Sequence, residues 1–102
     1  MKINKKIEKE LLKRYECYEE PKLICYNSIA YPDITVHIVR VRDWDNGDDV
    51  YMYRGSVEYD GGDSANYATG ITLQECKRKL KSSLKEHIDY YVKAYTKIGK
   101  KL

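Results

Sequence analysis

Residues 72–99 read TLQECKRKLKSSLKEHIDYYVKAYTKIG, and this stretch decides the fold. Its apolar and aromatic residues recur in steps of three and four, which places one stripe along an α-helix. The stripe consists of Leu73, Cys76, Leu80, Leu84, His87/Ile88, Tyr91, Tyr95 and Ile98. At about 1.5 Å per residue the helix would be roughly 39 Å long, longer than a domain of this size is wide. One end must therefore extend past the core, pack on another helix or contact a partner.

The sequence also predicts where this helix begins and ends. Thr72 and Glu75 have the spacing of a capping box, in which the hydroxyl serves first-turn amides and the carboxylate reaches back. Ile71 and Cys76 occupy the positions of a hydrophobic staple, and Gly99 occupies that of a left-handed residue that closes a helix. We therefore expect one unbroken helix from Thr72 to Gly99.

Upstream of this helix, the chain predicts a short helix and then several strands. Residues 4–18 have helical periodicity, and Pro21 ends that segment. Residues 22–31 and 34–42 are dense in apolar and β-branched side chains, and residues 64–70 alternate as a further short strand would. The expected fold class is α+β, a single domain over 1–102 in the order α-β-β-β-(β)-α. It would hold an antiparallel sheet of three to four strands with a short N-terminal and a long C-terminal helix.

The dipeptide Asn46-Gly47 between two strand-like runs is a strong hairpin signal. A turn at these two residues sets a register with the pairs Arg42–Tyr51, Arg40–Tyr53, Ile38–Gly55, Val36–Val57 and Ile34–Tyr59. This register predicts an apolar patch for the long helix, formed by Ile34, Val36, Ile38 and Val57. The opposite face is only half-polar, so we expect a second covering element, either the N-terminal helix or a dimer mate.

The composition bears on the cellular compartment. The chain has 102 residues, no Phe and 11 Tyr, so tyrosines must serve at the rim of one modest core. Cys17, Cys25 and Cys76 are odd in number and form no Cys-x-x-Cys pair, which favours reduced thiols. No window approaches the roughly 20 apolar residues of a membrane span. We expect a cytoplasmic protein, and the abundance of Lys, Ile, Tyr and Asp fits an AT-rich bacterial or phage genome.

Charge is unevenly distributed along the chain, although its net value is only +3. Residues 43–63 hold seven acids and one base, whereas residues 72–102 hold nine bases and three acids. Such a dipolar domain can steer a charged partner. Two solvated faces of opposite sign are the simpler interpretation.

No catalytic signature is present in the sequence. His37 and His87 have no carboxylate or thiol at an informative spacing, and the glycines make no phosphate-binding pattern. The acidic hairpin tip could hold calcium, but its spacing misses the EF-hand pattern. We expect no enzyme activity, no metal and no cofactor.

The candidate binding residues fall into two sets. Trp44, an indole among acids at an exposed turn, either folds over the sheet or anchors a partner, since Trp is enriched in interface hot spots. The protein-binding candidates are Trp44, Asp45, Asp48, Asp49, Tyr51, Tyr53, Tyr90, Tyr91 and Tyr95. The alternative set, for a nucleic-acid-binding surface, comprises Arg40, Arg42, Lys77, Arg78, Lys81 and Lys85. The helix residues of this set could equally be a solvated flank, and the two arginines could stack on Tyr51 and Tyr53 within the sheet.

Two resemblances accompany these patterns. The run Gly70-Ile71-Thr72-Leu73-Gln74-Glu75-Cys76 resembles the Gly-x-Thr-x-x-Glu-Ala helix start of HicB-like antitoxin domains. That resemblance implies a small β-β-β-α layout and neutralisation of an RNA-cleaving toxin by direct binding. The element order is also similar to that of a double-stranded-RNA-binding domain. In this chain, Lys77-Arg78-Lys79 resembles the basic cluster with which that family contacts phosphates.

These expectations combine into one functional hypothesis and one alternative. The hypothesis is a non-catalytic phage or mobile-element inhibitor, antitoxin-like, that occludes a host-defence or toxin protein such as a CRISPR or other nuclease. It would act in the bacterial host cytoplasm as a monomer, or as a homodimer formed through the long helix. The alternative is a nucleic-acid-binding module that uses the basic C-terminal helix.

Overall fold

The computed structural model describes residues 3–30, 33–43, 50–59 and 64–101, without the side chains of 28–30, 33, 43, 50, 59, 64–66 and 91. The expected α+β architecture is confirmed. The elements in chain order are α1 (Lys5–Lys13), β1 (Lys22–Ala30), β2 (Asp33–Asp43), β3 (Val50–Tyr59), β4 (Ser64–Gly70) and α2 (Leu73–Lys101). None of the helices within the described ranges is long and apolar enough to cross a membrane.

The four strands form one antiparallel sheet in the order β1-β2-β3-β4. All five predicted β2–β3 pairs are confirmed, from Arg42–Tyr51 to Ile34–Tyr59. The Asn46-Gly47 turn itself lies outside the described residues. In β1 the register shifts between Leu23, opposite Val39, and Cys25, opposite Ile38. This bulge inserts one extra residue, so Leu23 and Cys25 face opposite sides of the sheet although they are two residues apart.

The long helix α2 packs on one face of the sheet, as predicted. Its buried contacts form a cluster of Ile34, Ile38, Val57, Ala68, Cys76 and Leu80. Gly55 allows this close approach, because a Cβ built there would lie 2.9 Å from Leu80 Cγ and 3.1 Å from Cys76 Sγ. The helix lies mainly over the central strand β3 and the edge strand β4.

The short helix α1 covers the opposite face, which confirms the expected second covering element. Leu11 of α1 is buried with Leu23, Val39 and Val41 of the sheet. Asn4 caps this helix by accepting a hydrogen bond from the Lys6 amide at 2.9 Å. The helix ends at Lys13, earlier than the predicted residues 4–18. The turns that follow bring Tyr15 and Tyr18 against the sheet, and burial of both rings accounts for the early end.

The start and end of α2 differ in detail from the prediction. Thr72 Oγ1 accepts from the Glu75 amide at 3.2 Å, but the Glu75 carboxylate accepts from the Ile71 amide at 3.3 Å, one residue beyond the capping-box position. The predicted staple is wrong, because Ile71 is 69% exposed while Cys76 is buried. The predicted closure at Gly99 is also wrong. The helix continues through Lys101, and the positive charges of the lysines in its last turn interact favourably with the negative end of the helix dipole.

Candidate protein-binding surfaces

The C-terminal half of α2 extends beyond the sheet. Leu80 lies over Gly55, and Leu84, one turn later, still packs at the edge of the core. Residues 85–101, which we call the overhang, continue for about 25 Å past that point. The molecule is correspondingly elongated, with extents of 56 × 29 × 23 Å. The predicted unbroken helix that outruns its core is therefore confirmed.

The overhang carries most of the large apolar side chains that the described residues expose. Ile88, Tyr90, Val92, Tyr95 and Ile98 are between 42% and 69% exposed. Elsewhere in the described chain only Ile3, Tyr67 and Ile71 are comparable. Exposed apolar side chains that are concentrated on one element in this way are typical of an interaction site.

The three predicted tyrosines of this helix do not form one surface. Tyr90 and Tyr95 are five residues apart, which places them about 140° apart around the helix axis. Both are 69% exposed. The side chain of Tyr91 lies outside the described residues. Tyr90 and Tyr95 therefore belong to two different faces of the overhang.

The predicted anchor at the hairpin tip, Trp44 with Asp45, Asp48 and Asp49, lies outside the described residues. The two predicted tyrosines next to it are half-buried and make intramolecular contacts. The Tyr51 hydroxyl donates to Glu20 Oε2 at 3.2 Å, and Tyr53 packs against the cluster under α2. Tyr51 therefore contacts polar side chains at the edge of the core, whereas Tyr53 contacts the core itself.

The hairpin end and the overhang lie at opposite ends of the molecule. Tyr53 pairs with Gly70, just before α2 begins, whereas Leu84, after which the overhang starts, lies beside Val36 and Val57 further along the sheet. The eight residues from Tyr51 to Tyr59 span roughly 26 Å of strand. The structure thus divides the predicted protein-binding residues into two separate surfaces.

The residues predicted for nucleic acid also separate into two groups. Arg42 Nη1 donates to Glu19 Oε2 at 2.8 Å, and the Arg40 guanidinium lies 4.6 Å from the Tyr51 ring centroid. The Arg40–Tyr51 contact is a cation–π interaction within the sheet, and both arginines are engaged locally. The other group, Lys77, Arg78, Lys81 and Lys85, is exposed along one flank of α2.

A groove that sequence reasoning missed lies beside that basic flank. It encloses about 260 Å³. Its apolar lining comes from the sheet and from Leu80 and Leu84, and Lys77 and Lys81 stand among its lining residues. The groove exists because α2 lies over β3 and β4 and leaves the β1 side of the same face open. No local sequence pattern reports the lateral position of a helix on a sheet.

His37 is buried on the α1 face, in agreement with a structural role. The Tyr15 hydroxyl lies 3.2 Å from its Nε2, and Arg14 forms an ion pair with Glu58 nearby. Desolvation, together with the positive charge of Arg14, lowers the pKa of His37 to about 4. Burial raises the pKa of the Tyr15 hydroxyl. The imidazole is therefore neutral at pH 7 and sealed from solvent.

The Cys76 thiol is buried under α2. Burial raises the pKa of Cys76, whose Sγ donates to the Ala68 carbonyl at 3.7 Å. Within the described ranges, no group of three or more His, Cys, Asp or Glu side chains is arranged to hold a metal ion.

No family model, curated protein or solved structure matches this chain. The resemblances to HicB-like antitoxin domains and to double-stranded-RNA-binding domains therefore stay predictions.

Proposed function

We propose that this chain is a non-catalytic binding protein that acts by occluding another protein. The observation that carries the proposal is the overhang, a helix that leaves its own core and presents five large apolar side chains to solvent. Leaving such side chains in water forgoes about 25 cal/mol per Å² of apolar surface. A partner that covers them recovers this free energy.

The proposed target is a host-defence or toxin protein, such as a CRISPR or other nuclease. Nucleases bind nucleic acid through basic surfaces, and residues 43–63 of this chain hold seven acids and one base. The helix start that resembles HicB-like antitoxins points to the same class of target. The protein would be of phage or mobile-element origin and would act in the bacterial host cytoplasm.

The test is titration of purified nucleases and RNA-cleaving toxins from bacterial defence systems with this chain. We expect inhibition that is complete near equimolar ratio and at least a tenfold loss of affinity in Tyr90→Ala, because exposed aromatic anchors dominate interfaces. Tyr67→Ala is the matched control, since Tyr67 is 68% exposed on β4 and Tyr90 is 69% exposed. Equal loss in both variants, or no inhibition of any member of the panel, would contradict the proposal.

One observation favours nucleic-acid binding as a second candidate. Lys77, Arg78, Lys81 and Lys85 share one flank of α2, and no ion pair is recorded for them within the described residues. Four phosphate contacts would make the logarithm of the association constant fall with the logarithm of salt concentration, with a slope of about −3.6 for duplex DNA. A flat salt dependence, or no binding of duplex or single strands, would rule this candidate out.

A further inference from the structure

The apolar side chains of the overhang follow a heptad pattern. From Leu84 the steps are four, three, four and three residues, through Ile88, Tyr91, Tyr95 and Ile98. This is the alternation of a and d positions in a coiled coil. We call the line from Leu84 to Ile98 the seam. Its members Ile88, Tyr95 and Ile98 are exposed in the single chain, whereas Leu84 packs at the edge of the core. Tyr91 is assigned to the seam only by its position in the sequence, because its side chain lies outside the described residues.

We propose that the seam pairs with the seam of a second copy of this chain, in antiparallel orientation. The inference rests on the proposed role of the overhang as a binding element and names the occupant of one of its faces. The Tyr90 face, about 140° away from Tyr95, stays available for another protein in such a dimer.

The seam is self-complementary about Lys93. Ile88 lies five residues before Lys93 and Ile98 five residues after it, so an antiparallel two-fold pairing places isoleucine against isoleucine. Tyr91 and Tyr95 are related in the same way, at two residues on either side of Lys93. Each pair joins one a position to one d position, which is the layer arrangement of antiparallel helices. Lys93 itself takes the outermost heptad position, f, and points away from the contact.

The positions beside the seam are also compatible with close contact. Val92 and Ala94 flank Lys93, so each would meet its own copy near the two-fold axis. Val92 is 58% exposed, and its burial would widen the apolar contact there. The flanking charges are Lys85 and Lys101 at the far ends, on opposite sides of the seam.

Charge favours the antiparallel over the parallel orientation. Residues 93–101 carry four lysines and no acid, whereas residues 85–92 carry Glu86 and Asp89 with one lysine. Antiparallel pairing brings each basic segment level with the acidic segment of the second copy and opposes the two helix dipoles. Parallel pairing would align both lysine-rich ends and both dipoles.

The seam is continuous with the groove beside α2. Leu84 belongs to both, and Lys81, one turn earlier, lines the groove.

The first test is sedimentation of the full chain over a range of concentrations, with a matched pair of variants. Tyr95→Asp lies in the seam and Tyr90→Asp outside it, and both tyrosines are 69% exposed. We expect a concentration-dependent dimer, a dissociation constant raised at least tenfold by Tyr95→Asp, and little change with Tyr90→Asp. A wild-type monomer at every concentration, or equal effects of the two variants, would overturn the inference.

The second test reads the orientation. In a Cys17→Ser background, an Ile88→Cys chain is mixed with an Ile98→Cys chain and oxidised. Antiparallel pairing places these two positions level with each other, so the mixed disulfide is the expected main product. Predominance of Ile88→Cys homodimers would indicate a parallel pair and overturn the proposed register.

The two proposals fail separately. If the chain is a monomer that still inhibits a nuclease, and Tyr95→Asp abolishes the inhibition, then the target protein covers the seam. That result would overturn the proposed pairing with a second copy. A dimer without any inhibitory target would leave the pairing intact and contradict the proposed function.

Discussion

His37 shows how burial sets the chemistry of a single residue. Its ring lies under the turn that follows α1, with Tyr15 at 3.2 Å and Arg14 close by. Its neighbours across the sheet are Tyr26 on β1 and Ser56 on β3. The Glu58 carboxylate on the same face of the sheet is paired with Arg14, and burial together with the Arg14 charge disfavours an imidazolium. The fold therefore accepts only the neutral ring.

Acidification should consequently destabilise the protein through His37. The pKa is about 4 in the fold and 6.5 in its absence, so the unfolded chain binds more protons between these values. The contribution of neutral His37 to the free energy of unfolding is fully present above pH 6.5 and is lost as the pH drops towards 4. The free energy of unfolding should therefore fall by about 2 kcal/mol between pH 7 and pH 5. Urea unfolding at both pH values measures this loss.

His37→Gln should remove most of that pH dependence, whereas the control His87→Gln should keep it. Glu75, whose pKa the hydrogen bond from Lys79 lowers, loses its contribution only at lower pH. An unchanged pH dependence in His37→Gln would contradict the assignment.

At the scale of elements, the contact between α2 and the sheet depends on one missing side chain. Leu80 occupies the space above Gly55, and Cys76 lies beside it. A larger residue in β3 would lift the helix from the strand. The apolar stripe of α2 can therefore pack this close to the sheet only where a glycine faces it.

Gly55→Ala should destabilise the fold by about 1–3 kcal/mol, because the added methyl group overpacks a buried contact. Gly99→Ala is the control, since nothing lies within 4 Å of a Cβ at that helical position. It should leave the free energy of unfolding unchanged or slightly raised, as alanine is the better helix former. Denaturant unfolding compares the two variants, and equal stability of Gly55→Ala and wild type would refute the close contact.

At the scale of the whole molecule, the overhang separates this chain from a compact domain. The Cα radius of gyration is 15.8 Å. A compact domain of the same length would have a value of about 13 Å. The excess comes from the helical turns beyond Leu84, which contribute length without core.

Small-angle scattering of the Tyr95→Asp variant, which we expect to be monomeric, should give a radius of gyration near 15.8 Å or slightly above. Hydration and side chains add to the Cα value. A value near 13 Å would mean that the overhang folds back on the sheet, and both proposals would then lose their basis.

Much of the fold could be predicted because its signals are local. The β2–β3 register follows from counting outwards from Asn46-Gly47, and every predicted pair is present. The length and continuity of α2 follow from its apolar spacing and from the Thr72 cap. The candidate site was less predictable, because Tyr90 and Tyr95 share a helix but not a face, and Tyr51 lies at the other end of the molecule.

By itself, the amino-acid sequence determined the elements, the pairing of the central strands and the heptad line of the overhang. These features follow from side-chain spacings of two residues in strands and of three and four residues in helices, and such spacings involve only residues close together in the chain. Only the tertiary structure decided that α2 lies over β3 and β4, that a groove stays open beside it, and that His37 is buried beneath Tyr15. The physical reason is that packing matches side-chain volumes far apart in the chain, such as Gly55 and Leu80, and no local spacing encodes that match.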